Sequence, residues 1–128
     1  METLVKQQRN EHDAHDIILG ILCYFPKHGK WDEMMFHEFL SKLSNNYQIL
    51  SRLEFSDLAG NVYCEEVGKV FDLLELCGLL KRREETTELD LEVIRLNFEE
   101  EIKQTFNEEI LNSLLAISEE LKIELNLA

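Results

Sequence analysis

The chain has 128 residues, 45% of them hydrophobic and 30% charged, with 26 acids against 13 bases and a net charge of −13. That much apolar material suits one domain around one core and excludes global disorder. No apolar run approaches the ~20 residues that span a bilayer, and residues 1–15 lack the apolar stretch of a signal peptide, so a cytoplasmic protein is expected.

Acid predominates along the whole chain. Residues 1–60 carry 9 acids and 6 bases, residues 61–98 carry 9 and 5, and residues 99–128 carry 8 and 2. Proteins that bind polyanions need a basic face to displace counterions. Nucleic acid and anionic membrane are therefore disfavoured partners, and a basic protein is favoured.

A first helix is expected from Asp13 or His15 to Phe25, on the stripe Ile17, Ile18, Ile21, Leu22 and Phe25, stopped by Pro26 and Gly29. Asp32 can cap a second helix over Glu33–Ser44 with Phe36, Phe39, Leu40 and Leu43 inward, and Trp31 and Met35 packing at its start. Residues 47–58 read as a short helix on Ile49, Leu50 and Leu53 followed by a loop, or as a short strand paired with the later hairpin. Asn61 follows the break Ala59-Gly60 and can cap a third helix with Val67, Val70, Phe71, Leu74 and Cys77 inward, stopped at Gly78.

Beyond Gly78, Leu79 to Arg83 reads as a strand, Glu84 to Glu88 as an acidic tip, and the alternation Leu89, Leu91, Val93 as the returning strand. Ile94, Leu96 and Phe98 are out of phase with that alternation, which predicts a bulge near Val93-Ile94 or a strand covered on both faces. Asn97 with Glu100 has capping-box spacing for a last element, and Thr105 or Asn107 can cap again. Its stripe is Ile102, Phe106, Ile110, Leu114, Ile117 and Leu121, widened by Leu111 and Leu115. That face either completes the core or pairs with a second copy as a homodimer.

The segment Val70-Phe71-Asp72-Leu73-Leu74-Glu75-Leu76-Cys77-Gly78-Leu79-Leu80-Lys81-Arg82, a helix ending at glycine and running into a basic strand, resembles the winged-helix superfamily. The resemblance implies a mainly α fold with a small β-hairpin (α+β). A winged-helix-like domain would occupy residues 1–98, with a C-terminal helix over residues 99–128. In DNA-binding members the third helix enters the major groove. Here its outward residues would be Glu65, Glu66, Lys69, Asp72, Leu73 and Leu76, which repel phosphate more than they attract it. Winged-helix modules also serve as protein-interaction units, and that use fits these residues.

The leading expectation is therefore a non-enzymatic interaction or regulatory module contacting a protein through Glu65, Glu66, Lys69, Asp72, Leu111 and Leu115. A sharper form is an acidic inhibitor of a nucleic-acid-binding partner. The alternative is a DNA-binding transcription regulator, which requires Lys81, Arg82, Arg83 and Arg95 to cluster on one face and could draw on Lys27 and Lys30 as well. No cofactor or metal is expected. His12, Asp13, His15 and Asp16 form a polar helix start rather than a converging ligand set. Glu65-Glu66 and Glu84-Glu85 have no nucleophile or glycine-rich loop beside them, and Cys23, Cys64 and Cys77 read as buried, reduced thiols.

Overall fold

A computed structural model describes residues 13–26, 31–82 and 87–127. The described chain is mainly α with two small antiparallel hairpins, in the order α1 (Ala14–Leu22), α2 (Glu33–Leu43), a 3₁₀ turn (Gln48–Arg52), β1 (Phe55–Leu58), β2 (Asn61–Cys64), α3 (Glu65–Leu76), β3 (Leu80–Arg82), β4 (Thr87–Leu89), α4 (Leu91–Asn97) and α5 (Glu108–Glu124). A π-helical turn (Phe98–Ile102) and a 3₁₀ turn (Lys103–Thr105) join α4 to α5.

Helix α1 is the axis of the core: Ile17 to Leu22 are all buried, and α3, α4 and α5 pack around it. Asp13 starts it by accepting a hydrogen bond from the His15 N–H at 3.0 Å. It ends at Leu22, three residues earlier than its stripe predicts. Phe25 still reaches the core, where it meets Trp31 and Phe36 edge-on at 5.7 and 6.0 Å between ring centroids. Trp31 and Phe36 in turn close on Phe71 at 5.6 and 5.3 Å, so α2 and α3 share one aromatic cluster. Met35 lies outside that packing and is exposed.

The last helix lies on this core. Asn107, the second of the two expected caps, starts α5 by accepting from the Ile110 N–H at 2.8 Å. Leu114, Ile117 and Leu121 are then fully buried against α1 and α2. Contact is close enough that a Cβ on Gly20 would sit 2.7 Å from Leu114 Cδ1 and 3.1 Å from Phe98 Cε2. Asn126 ends α5 in the left-handed conformation, φ 60°, with the Leu127 N–H returning to the Lys122 carbonyl at 2.7 Å.

Further readings of the sequence are corrected. Asn61–Cys64 is strand β2 and does not cap α3; the helix starts at Glu65. Residues 47–58 hold a single 3₁₀ turn and then strand β1, whose partner is β2 (Phe55 opposite Cys64, Leu58 opposite Asn61) and not the later hairpin. Ala59 and Gly60 both have positive φ, 53° and 84°, the handedness a tight two-residue hairpin loop needs.

The returning strand stops at Leu89, and what was read as strand to Phe98 is helix α4. Leu91, Ile94 and Phe98 are buried while Val93 and Leu96 are exposed, a spacing of three and four that the alternation concealed. Asn97 accordingly has helical dihedrals and caps nothing. Cys23 and Cys64 are buried thiols, but Cys77, at the end of α3, is exposed. Of the acidic tip, residues 84–86 lie outside the described residues and Glu88 stands on β4.

Trp31 adds a bridge to the second hairpin. Its carbonyl accepts from the Thr87 N–H at 2.7 Å, antiparallel to β4. Trp31 thus lies beside the β3–β4 pair.

Candidate functional site

Helical periodicity sorts the outward residues of α3 into two lines. Glu65, Asp72 and Glu75 make the first, with the buried Gly68 between Glu65 and Asp72; Lys69, Leu73 and Leu76 make the second. The leucines are bare: Leu73 is 44% and Leu76 84% exposed. Lys69 pairs with Glu65 at 3.2 Å along the helix, so the one outward cation is partly spent inside the helix.

The acidic line is answered from β3. Arg82 reaches back to α2 and α3 and lies among three carboxylates. Its Nε donates to Glu33 Oε1 at 2.7 Å and its Nη2 to Glu33 Oε2 at 3.2 Å. Its Nη1 donates to Asp72 Oδ1 at 2.5 Å and faces Glu75 Oε1 at 3.6 Å. Burial alone would raise the Glu33 carboxyl, but His37 and Arg82 outweigh it and hold the carboxyl below its ordinary value. Burial likewise works against the Arg82 charge, and the hydrogen bonds to Asp72 and Glu33 reverse that effect and raise it. The guanidinium is a charge-assisted tie between three elements.

Beside this tie sits an aromatic pair. Tyr63, on β2, stacks on the His37 ring of α2 with centroids 4.8 Å apart and planes 26° apart. Its hydroxyl lies over Gly68, so close that a Cβ there would stand 2.0 Å away. Gly68 is therefore a seat for the ring, and a larger residue there must displace the Tyr63 hydroxyl. Burial raises the Tyr63 phenol, the carboxylates of Asp72, Glu33 and Glu65 raise it further, and Arg82 opposes them. Tyr63, Glu33, Glu65, Asp72 and Arg82 thus share one electrostatic neighbourhood drawn from α2, β2, α3 and β3.

His37 is fully buried beneath Tyr63. Its Nδ1 accepts the Cys64 N–H at 3.0 Å, which places the neutral ring's proton on Nε2. That atom has no hydrogen-bond partner and lies 3.7 Å from Glu33 Oε2. The Cys64 thiol is pushed up to about 11, first by burial, so it is a protonated packing group and a poor nucleophile. Glu66 is occupied by accepting the Glu54 N–H at 2.9 Å.

Of the partner-contact residues expected from sequence, Glu65, Lys69 and Asp72 therefore stand together on α3, with Glu66 turned toward Glu54. Leu111 and Leu115 lie apart from them on α5. Leu111 is half-buried and Leu115 is 41% exposed between Glu108, Glu109, Glu119 and Glu120.

Among the described residues the cations proposed for DNA do not assemble. Lys81 faces Glu88 across the β3–β4 pair. Arg82 is inside the carboxylate triad. Arg95 donates to the carbonyls of Cys23, at 2.8 Å, and Phe25, closing the end of α1. Arg83, Lys27 and Lys30 lie outside the described residues. His12, of the polar helix start, lies outside them too, and Asp13 is spent on its cap.

Among the described residues no three His, Cys, Asp or Glu side chains converge to hold a metal ion, and no helix is long and apolar enough to cross a membrane. Comparison with protein-family models, with curated proteins and with solved structures finds no significant match for the chain.

Sequence reasoning missed Glu33, His37 and Tyr63. The i, i+4 spacing of Glu33 and His37 was a legible sign that the two face one another. Nothing in the sequence announced that Arg82 and Tyr63 would meet them.

Proposed function

We propose that this protein is a non-enzymatic, cytoplasmic interaction module on a winged-helix-like scaffold, and that it engages a basic protein partner through the exposed face of α3. The observation that carries this reading is the pairing of bare Leu73 and Leu76 with the carboxylates of Glu65, Asp72 and Glu75 on a helix whose neighbouring arginine is already consumed. An apolar strip beside a cluster in which, among the described residues, Glu33, Glu65, Asp72 and Glu75 share only Lys69 and Arg82, and so keep an excess of negative charge, fits a partner that offers apolar anchors flanked by lysine or arginine. The same surface repels phosphate.

The scaffold reading is supported by the Trp31–Thr87 bridge, which supplies the order helix, strand, helix, helix, strand, strand. The β1–β2 hairpin between the second and third helices is an addition to that order. An acidic inhibitor that occupies the basic surface of a nucleic-acid-binding protein is the sharpest form of the reading.

Self-association through α5 has less to draw on. Its exposed apolar residues, Leu115 and Ile123, are eight positions apart and separated by glutamates. Two such faces would bring like charges together. The protein is read as a monomer that awaits a different partner.

The test is paired. The protein is titrated against random-sequence duplex DNA at low salt, and a random peptide library is selected on it. We expect no duplex binding, and selected peptides that combine lysine or arginine with apolar residues and lose binding to L73S/L76S. Duplex binding that is lost on Lys81→Glu would overturn the reading.

A further inference from the structure

The β1–β2 hairpin is held to the rest of the fold by buried Cys64, by Phe55 packed on the core, and by the imidazole of His37. A lone two-stranded hairpin is marginally stable in water, and this one has a non-glycine residue, Ala59, at positive φ in its loop. Its strand β2 packs on α2, and two of the contacts that bind it there belong to His37. One is the hydrogen bond from the Cys64 N–H to Nδ1 at 3.0 Å. The other is the stack of Tyr63 on the ring at 4.8 Å. Tyr63 is also the residue that covers Gly68 of α3.

We infer that His37 is a proton-operated clasp: protonation of its buried ring releases the β1–β2 hairpin and uncovers the α3 surface at Gly68. The neutral ring fits the site because Nδ1 is an acceptor. A second proton must go on Nδ1, where it would face the Cys64 N–H, donor against donor. The charged ring would then be buried with one direction left for a partner, toward Glu33.

The groups around the ring decide whether it could stay. Among the described residues Glu33, on α2, is the one carboxylate paired with it, at 3.7 Å, and both of its oxygens are bonded to Arg82 of β3. Asp72 of α3 bonds the same guanidinium, and Glu75 lies beside it. Glu66, also on α3, is turned to Glu54 and the Cys64 thiol. From β2 come only the Tyr63 ring and Cys64, and the Phe71 ring of α3 closes another side at 6.4 Å. Opening, which gives the imidazolium water, is the relief available. The closed state is thus full when His37 is neutral and is lost as pH falls through the ring's protonation. The release does not depend on what α3 binds; only the use of the uncovered surface rests on the partner reading.

The experiment is amide hydrogen exchange followed by NMR on the full chain from about pH 7.5 to about pH 5, corrected for intrinsic exchange, with the His37 ring shifts read in the same samples. Opening of the β1–β2 amides should rise by up to about tenfold per pH unit, one proton per release, with a midpoint that coincides with the His37 titration, while α1 and α5 stay protected. In His37→Asn, whose side-chain oxygen can accept the Cys64 N–H but cannot titrate, the rise should vanish. Hairpin protection that stays flat across the His37 titration would overturn the proposal, as would a rise shared equally by α1 and α5 or one that persists in H37N. If H37N does not fold, coincidence of the two wild-type midpoints is required on its own. No partner enters the measurement, so its result is separate from the fate of the binding reading.

Discussion

The two sides of α1 and α2 are built by different rules. Toward α4 and α5 the centre of the contact is dry: Gly20, Leu114, Phe98, Ile117 and Leu121 meet beside Ser118, whose hydroxyl is buried without a partner, and Arg95 enters only at the edge, on the carbonyls that end α1. Toward β2, α3 and β3 the aromatic cluster gives way to His37, Glu33, Arg82, Asp72 and Tyr63, each fixed by direction as much as by shape. Apolar packing specifies volume and tolerates a change of pH. A polar network specifies geometry and responds to protons, salt and competing charges. The half of the molecule that can answer a signal is the half that faces the proposed partner.

The largest break is expected on the dry side. Phe98→Ala removes a fully buried ring that packs at 6.1 Å on Phe106 and 6.4 Å on Tyr24. It should cost about 3–5 kcal/mol in urea denaturation, with no change in how stability depends on pH. A loss below about 1 kcal/mol would mean that α4 and the π-helical turn are not part of the cooperative unit.

On the polar side Arg82→Met should cost about 1–3 kcal/mol, since it leaves Glu33 half-buried without its partner. Its pH signature differs as well. The Glu33 carboxyl is held below its ordinary 4.5, so it contributes stability above that pH and loses it as pH falls through the lowered value. The stability difference between wild type and R82M should therefore be full at neutral pH and shrink in acid. A difference that is constant from about pH 7 to about pH 3 would show that Arg82 acts by packing alone.

These two regions were not equally legible in the sequence. The dry side was: the stripe from Ile102 to Leu121 and the run of isoleucines and leucines in α1 carry their periodicity openly, and all but Ile110 of that late stripe is buried. Its one misreading, α4, arose because Leu89, Leu91 and Val93 satisfy a period of two locally, while Leu91, Ile94 and Phe98 satisfy the helical one over a longer span. The polar side was not legible. Its ties join residues 33, 63, 72 and 82, and a guanidinium does not advertise which carboxylate it will meet. The hairpin from Phe55 to Cys64 was hidden for a related reason. Gly60-Asn61 looked like a break before a helix cap, and the loop that turns the strands uses Ala59, a residue uncommon at positive φ.

Smaller effects sharpen the contrast inside the polar side. Gly68→Ala should cost about 1 kcal/mol, because the new Cβ displaces the Tyr63 hydroxyl. In a Tyr63→Ala background the same change should stabilise by about 0.5–1 kcal/mol, as alanine does over glycine within a helix. The reversal of sign in this double-mutant cycle is the evidence that Gly68 is a seat for the ring. Ala59→Asn should stabilise the hairpin by about 0.5 kcal/mol, since asparagine tolerates positive φ at the first loop position. It should also slow exchange of the β1–β2 amides without altering α1.

The smallest change in stability carries the most information about function. Leu76→Ser and Leu115→Ser both trim exposed leucines, at 84% and 41% exposure, and each should leave stability within about 0.5 kcal/mol of wild type. Because neither perturbs the fold, a difference between them in binding is a property of the surface. A basic peptide selected on the wild-type protein should lose at least about tenfold in affinity with L76S, the loss of a central apolar anchor, and be indifferent to L115S. The reverse pattern would move the interface from the acidic face of α3 to α5. The wild-type affinity should also fall as salt rises, because the carboxylates of Glu65, Asp72 and Glu75 supply its electrostatic part. A salt-independent interaction that still required Leu76 would keep the face and discard the basic partner.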